Sequence, residues 1–252
     1  MVNSTELLVK LPELPVIEIV DDLIQVYKEY MVIRAALKMK IFDWMAANGS
    51  STIDAISAGT GVPRDYMASL MGMLYYLDLV RKHEDTYGLS PSASLHFVTT
   101  SLYYQGDVIL ALSEEGTPWA GLDEYILHPE TKRSFHAENQ YAVASRAEQE
   151  IRGMVQNVTT VVSRWDGFSR ATRMFELGSG HGLYAIAACQ IHPDLTATVF
   201  QPPGSTLLQE NISRFGMENR ITVCSDIRDF SGDSYDIFLA SHALYPYQEQ
   251  PG

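Results

Sequence analysis

The sequence predicts a mainly α amino-terminal domain followed by a partial α/β domain built on a parallel sheet. Three observations predict it. Apolar residues early in the chain recur at spacings of three and four. Residues 63 to 89 read as a helix followed by a hairpin. From residue 171, short apolar strands alternate with helices of about a dozen residues, the pattern of parallel strands joined by right-handed crossovers.

After Pro12 and Pro15 the run Ile17, Ile19, Val20, Leu23, Ile24, Tyr27 and Met31 is helical, and a second run from Val32 to Met45 stops at Asn48-Gly49. These predict one long or two consecutive helices. Their apolar pattern exceeds what a small domain needs to cover, so residues 17 to 45 are expected in an intertwined dimer interface. Ser50, Ser51 or Thr52 can cap the next helix, with Asp54 in its first turn and Gly59-Thr60-Gly61 at its end.

Pro63 then opens a helix with one apolar face, Met67, Leu70, Met71, Leu74 and Leu77. An extended segment follows, turns through Glu84-Asp85 and returns from Tyr87 to Leu89. Helix, turn, helix and hairpin are the elements of a winged helix. Residues 63 to 77 contain Arg64 as their one basic side chain, too few donors for a helix that reads DNA. A structural or dimer-forming role is the expectation.

Residues 100 to 165 read as mainly helical. Leu102, Val108, Ile109 and Leu112 form one apolar pattern, and Trp119, Leu122, Tyr125 and Ile126 another. A third helix is expected from near Glu138, carrying Val143, Ile151, Met154, Val158 and Val162. Beyond it, ATRMFELGSG is an apolar strand ending in glycines, and LYAIAACQI a helix with Leu183, Ile186, Ala187 and Ile191 inward. LTATVF, ITVCS and SYDIFLAS are further strands, with the helix STLLQENISRFG after LTATVF.

Bulk properties narrow the function classes. Of 252 residues 46% are hydrophobic and 19% charged, which suits a chain with a large core. The formal charge of -13 repels phosphate backbones and anionic lipid, so nucleic acid is disfavoured as a partner. No stretch reaches membrane-span length, and the amino terminus lacks a signal-peptide core. Cys189 and Cys224 have no neighbours at metal-ligand spacing and read as reduced thiols, so no metal site and a cytoplasmic location are expected.

The chemistry is expected at MFELGSGHG, residues 174 to 182. Ligands of open α/β sheets bind beyond the carboxyl ends of the strands, where Glu176 precedes Gly178, Gly180 and Gly182. Glycines let the loop turn tightly and bring backbone close to a ligand. A dinucleotide fingerprint requires glycine or alanine at its sixth position, where this chain has Leu183. Glu176 would sit badly beside pyrophosphate but can accept an ammonium group. Both facts favour S-adenosylmethionine over a nicotinamide cofactor.

On FELGSGHG, HPDLTATVFQPPG, NRITVCSDIRDF and YDIFLASHALYPY the chain resembles the two-domain small-molecule methyltransferases typified by plant O-methyltransferases, hydroxyindole methyltransferases and bacterial antibiotic relatives. The resemblance implies a winged-helix dimerisation domain (1 to 99, its winged helix over 17 to 97), a helical connector and substrate-pocket wall (100 to 168), and a partial Rossmann-like class I methyltransferase domain (169 to 252). It implies that Glu176, Gly178, Ser179 and Gly180 hold the methionine part of S-adenosylmethionine, and that Asp226 and Ile227 flank its adenine. The implied activity is methyl transfer to a small acceptor, aromatic ones included, most readily on oxygen, by a homodimer. His181 either approaches the cofactor or contributes backbone alone. Trp119, Phe135 and Tyr141 are aromatic candidates for stacking on the acceptor.

Two departures stand out. Where the family carries an acid for the ribose hydroxyls, this chain has Gln201, which can donate and accept but brings no charge. The family's seven-stranded sheet, in order 3-2-1-4-5-7-6, is legible here through four strands. The expectation is a truncated or divergent form with an apolar edge at Ile237, Phe238 and Leu239. The family's catalytic histidine follows its fifth strand, so His242 and Tyr245 are the nearest polar candidates. A catalytically inactive, homodimerising or cofactor-sensing derivative is the alternative.

Overall fold

A computed structural model describes residues 18–113, 119, 121–128, 141–201, 206–226 and 235–241. Two hydrophobic cores organise them, one amino-terminal and one around a parallel sheet.

Helix α1 spans Glu18–Lys38. Its carboxyl end is buried through Ala36 and Leu37, whereas Ile19, Leu23, Val26 and Tyr27 in its first half are each more than 60% exposed. From Ile19 onward the expected run of apolar residues is helical, Ile17 lying outside the described residues, but its first half is exposed among the described residues. Lys40 adopts a left-handed conformation (φ 53°) that ends α1 and starts α2, Ile41–Asn48. Ile41, Phe42 and Met45 carry α2 into the core.

Strand β1 is the two-residue Ser51–Thr52, and Thr52 is also the cap of α3, Ile53–Thr60, its hydroxyl accepting the Ala55 N–H at 3.3 Å. Helix α4, Arg64–Tyr76, follows Pro63 and buries Met67, Met71 and Leu74 as its spacing predicts. Strands β2, Val80–His83, and β3, Thr86–Leu89, form the hairpin. β1 pairs antiparallel with β3, giving the order β1-β3-β2. The third strand was not expected, because Ser51 and Thr52 read as cap residues. Ser90 caps a further short helix, α5, Pro91–His96.

The connector contains α6, Gly106–Ala111, α7, Leu122–Leu127, α8, Ala142–Glu150, and α9, Met154–Ser163. The single helix expected from Glu138 is therefore two. It breaks at Gly153, whose φ of 143° is open to glycine and strained for other residues. Glu138 itself lies outside the described residues. Trp119, Leu122 and Ile126, expected to form an apolar face, are exposed.

After a single 3-10 turn at Phe168–Arg170 comes β4, Arg173–Leu177, then α10, Leu183–Ile191, β5, Thr196–Phe200, α11, Leu207–Arg214, β6, Ile221–Cys224, and β7, Ile237–Ala240. All pairings in this sheet are parallel and the order is β6-β5-β4-β7, the 3-2-1-4 portion of the expected sheet. Helix α10 is buried almost all round because it lies between the sheet and α9. Ile191, expected inward, is 52% exposed at its end. Among the described residues β7 pairs on one side, with β4, and Phe238 is half exposed while stacking on Phe175 at 5.7 Å.

Two polar devices set the sheet's lower end. Asp236 Oδ2 accepts the N–H groups of Thr172, at 2.7 Å, and Arg173, at 3.1 Å, which lowers its pKa and holds β7 in register with β4. The Arg220 guanidinium donates to the carbonyls of Cys189, His192 and Leu195, gathering the end of α10 and the start of β5 onto β6. A cation there also opposes the negative end of the helix.

Arg220→Ala is expected to cost about 2–3 kcal/mol, since it strands carbonyls that a smaller side chain cannot reach. Urea unfolding checks this; a loss within experimental error would mean water replaces the guanidinium at no cost.

Candidate functional site

The site grows out of the carboxyl end of β4. Gly178, Gly180 and Gly182 have φ values of 101°, 73° and 71°, so the chain doubles back before entering α10. A Cβ at Gly182 would collide with the Leu208 side chain, so glycine is needed there for space as well as conformation.

Glu176 lies beneath this loop with no exposed surface. Its Oε2 accepts the Ala185 N–H at 2.7 Å and its Oε1 accepts the Ser179 hydroxyl. Ser179 Oγ in turn accepts the Gly182 N–H at 3.3 Å. Burial raises the Glu176 pKa, opposed by its hydrogen bonds and by His181. The carboxyl expected to receive a ligand's ammonium is thus turned inward, fastening the loop to the first turn of α10.

His181 is also fully buried. Its Nδ1 accepts the Leu183 N–H at 3.2 Å, which puts the ring proton on Nε2, 2.9 Å from Glu150 Oε2. The Asn211 side chain donates to the His181 carbonyl at 2.9 Å, so α11 holds the loop as well. Of the two roles open to His181, the structure shows a side chain that ties the loop to α8. One turn earlier on α8, Arg146 Nη1 donates to the Gly178 carbonyl at 3.1 Å.

Gln201 follows β5, its N–H bonded to the Cys224 carbonyl at 2.9 Å. Its side chain is buried, and among the described residues Oε1 has no hydrogen-bond partner. Asp226 follows β6, its carbonyl accepting the Cys224 thiol at 3.0 Å. Glu176, Gly178, Ser179, Gly180, Gln201 and Asp226 therefore gather at the carboxyl ends of three adjacent strands. Ile227, His242, Tyr245 and Phe135 lie outside the described residues. Tyr141 is half-buried and Trp119 is exposed.

A cavity of about 730 Å³ opens beside the loop, lined by Arg146, Glu150, Tyr184, Leu239 and Ser241 among others. Burial, then a hydrogen bond with Glu150, raises the Tyr184 pKa. Arg146, Glu150, Tyr184 and Ser241 did not stand out in the sequence. Arg146 and Glu150 are spaced as an ordinary surface pair on a helix, and the glycine loop, distant in sequence, is what separates them. Among the described residues no cluster of His, Cys, Asp and Glu is placed to hold a metal, and no helix is long and apolar enough to cross a membrane.

Residues 21–99 match a family model described as the O-methyltransferase dimerisation domain. An uncharacterised protein of Methanocaldococcus jannaschii is 21% identical over 92% of this chain, which spans 64% of that relative's length. Human N-acetylserotonin methyltransferase, solved in complex with SAM, superposes with a TM-score of 0.69 at 17% identity, covering 96% of this chain and 73% of that one. The N,N-8-amino-8-demethyl-D-riboflavin dimethyltransferase RosA of Streptomyces davawensis superposes at 0.68 with 18% identity, covering 89% and 71%. The fold is thus an amino-terminal helical dimerisation domain followed by a partial parallel sheet of the Rossmann-like methyltransferase type.

A second cavity, of about 580 Å³, lies between the two cores and is lined in part by Lys38, Tyr104, Asp107, Glu148 and Arg214. Glu148 reaches from α8 to the first turn of α6, accepting the Val108 N–H at 3.0 Å and the Asp107 N–H at 3.4 Å. It also shares a hydrogen bond with the Asp107 carboxyl. Burial first, then repulsion from Asp107, push the Glu148 pKa from 4.5 to about 9, and burial raises Asp107 too. The folded pair keeps a proton near neutrality that the unfolded chain has lost. Its contribution to stability is whole below about pH 4.5 and is lost as pH rises through about 9.

Glu148→Gln keeps an acceptor for Val108 and a donor for Asp107 without a titrating proton. It is expected to flatten this decline and to raise Tm at about pH 8 by roughly 2–4 °C for each kcal/mol recovered. Thermal melts across the range check it, and a parent chain equally stable at both ends would refute the shared proton.

Proposed function

We propose that the chain is a methyltransferase that moves a methyl group from S-adenosylmethionine to a small acceptor, aromatic ones included, on oxygen. The observation that carries this reading is the buried Oε1 of Gln201 at the end of β5, without a partner among the described residues and beside a glycine loop whose backbone is open to close approach. A buried amide oxygen without a partner is costly and suits a ligand hydroxyl. Gln201 would accept one ribose hydroxyl, the Gly178 to Gly180 backbone would hold the methionine part, and Asp226 with Ile227 would flank the adenine. Glu176 would hold the loop in its receptive shape, its ammonium-binding role requiring Ser179 to share an oxygen.

When bound, the cofactor supplies a methyl group on a positively charged sulfur, displaced by an acceptor lone pair to leave a neutral thioether. Much of such a reaction's rate can come from alignment, so a strong base is not required. Tyr184 and Ser241 on the 730 Å³ cavity are placed to orient the acceptor. His242 follows Ser241 in sequence, and we propose it to receive the acceptor's proton, with Tyr245 shaping the pocket. The dimerisation-domain match supports oxygen as the methylated atom, and RosA, a dimethyltransferase of an amino compound, makes nitrogen the comparison to run.

Gln201 favours a second reading, a cofactor-sensing chain without turnover, because an amide binds the ribose less firmly than a carboxylate. Titration calorimetry with S-adenosylhomocysteine tests binding, and its release from S-adenosylmethionine with a panel of phenols and anilines tests turnover. Gln201→Glu is expected to tighten cofactor binding several-fold, about 1 kcal/mol. No saturable heat in the parent chain would end the cofactor reading; heat without turnover would leave the sensing one.

We also propose a homodimer through α1, whose Ile19, Leu23, Val26 and Tyr27 form an apolar face, exposed among the described residues, within the matched segment or just before it. Sedimentation at micromolar protein is expected to show a dimer that Leu23→Asp converts to monomer. A parent chain that sediments as a monomer would overturn it.

A further inference from the structure

The 580 Å³ cavity plays no part in the proposed methyl transfer, yet its size is that of a small-molecule site, commonly about 300–1,000 Å³. It is separate from the 730 Å³ cavity. Ser145, Arg146, Gln149 and Glu150 line the larger cavity, and Ala144, Ala147, Glu148 and Ile151 line the smaller one. At 3.6 residues per turn these sets fall on opposite sides of α8.

The carboxyls on the wall of the smaller cavity already accept from the protein. Asp43 Oδ1 takes both the N–H and the hydroxyl of Thr99 at 2.8 Å, and Glu210 takes the Thr206 hydroxyl at 2.7 Å. Glu148 takes two amides of α6 and shares a proton with Asp107. Lys38 is engaged as well. Lys40 and Arg214 differ. Both are exposed at the cavity's mouth, and among the described residues neither has a carboxylate within ion-pair distance. That is against the trend of a chain with 18 basic side chains and 31 acidic ones.

The two cations are brought together by the segment between them. Lys40 lies one turn before Asp43, which holds Thr99, and the adjacent Thr100 carbonyl accepts Arg214 Nη2 at 3.2 Å. Lys40 also stands at φ 53°, the left-handed region that glycine adopts without strain, so its side chain is held there at a cost. Further in, Leu110, Leu207 and Phe215 make the wall apolar. Free donors at the mouth and an apolar interior match a ring that carries a carboxylate.

We propose that this cavity is a second binding site, for a small aromatic carboxylate held by Lys40 and Arg214. It does not rest on the methyltransferase reading. Fluorine NMR titrations of the full chain test it with 4-fluorobenzoate, its neutral analogue 4-fluorobenzamide and its cationic analogue 4-fluorobenzylamine. The variants are Lys40→Gly and Arg214→Gln, with melting curves as a folding control. Lys40→Gly is expected to melt near the parent, because relief of the strained backbone offsets a freer unfolded chain.

Saturable binding of 4-fluorobenzoate is expected, tighter than that of the amide or the amine and weakened about 5-fold in each variant. Binding of the amide is expected to be the same in all three proteins. Should Arg214→Gln lose its fold with the Thr100 bond, Lys40→Gly decides alone. The site is overturned by a benzoate that binds the folded variants as it binds the parent, which is also the result if it occupies the 730 Å³ cavity. An amine that binds as tightly as the acid overturns it too, as does the absence of saturable binding by any probe.

Discussion

The site depends on a carboxyl group that has no contact with water. Glu176 receives the Ser179 hydroxyl on one oxygen and the Ala185 amide on the other, so it joins strand, glycine loop and helix at one point. Burying an ionisable group is costly, and the cost falls when its lone pairs are filled. The Ser179 hydroxyl and the Ala185 amide each fill one, and the amide belongs to the first turn of α10, which is also where a negative charge is best tolerated. Removing this carboxyl would release the loop and uncover a helix terminus together.

From that point the rest of the arrangement follows outward. Gln201 and Asp226 reach the same end of the sheet because parallel pairing aligns the carboxyl ends of β4, β5 and β6. The loop is gripped from two further sides, by Asn211 of α11 and by Arg146 and Glu150 of α8. α8 also packs on α6 through Glu148, so one helix is bonded to both the glycine loop and the amino-terminal core. The connector is thus part of the site's framework, beyond the wall that its apolar pattern suggests.

Where local chemistry decides the structure, it was legible in the sequence. The Thr52 cap, the Met67, Met71 and Leu74 face, the hairpin after Leu79 and the strand–glycine–helix order of MFELGSGHG all follow from short-range rules. β1 was not legible because two polar residues become a strand only when β3 lies beside them. The break at Gly153 was hidden because apolar spacing continues across it, although the glycine itself marked the place. Ile191 has the spacing of a core residue but falls past the edge of the sheet. In the site, Glu176, Gln201 and the glycines could be named from their place after strands. Arg146, Glu150, Tyr184 and Ser241 could not, since their meeting depends on how α8 crosses the sheet.

The proton held between Glu148 and Asp107 has a consequence for motion. α6 belongs to the amino-terminal core and α8 to the body of the connector, and this pair lies on their contact. Drawing the helices apart would admit water, return both carboxyls toward ordinary acidity and expel the proton. Opening between the two halves is then a proton-releasing process, whose equilibrium follows the acidity of the medium and whose heat includes that of the buffer that takes up the proton.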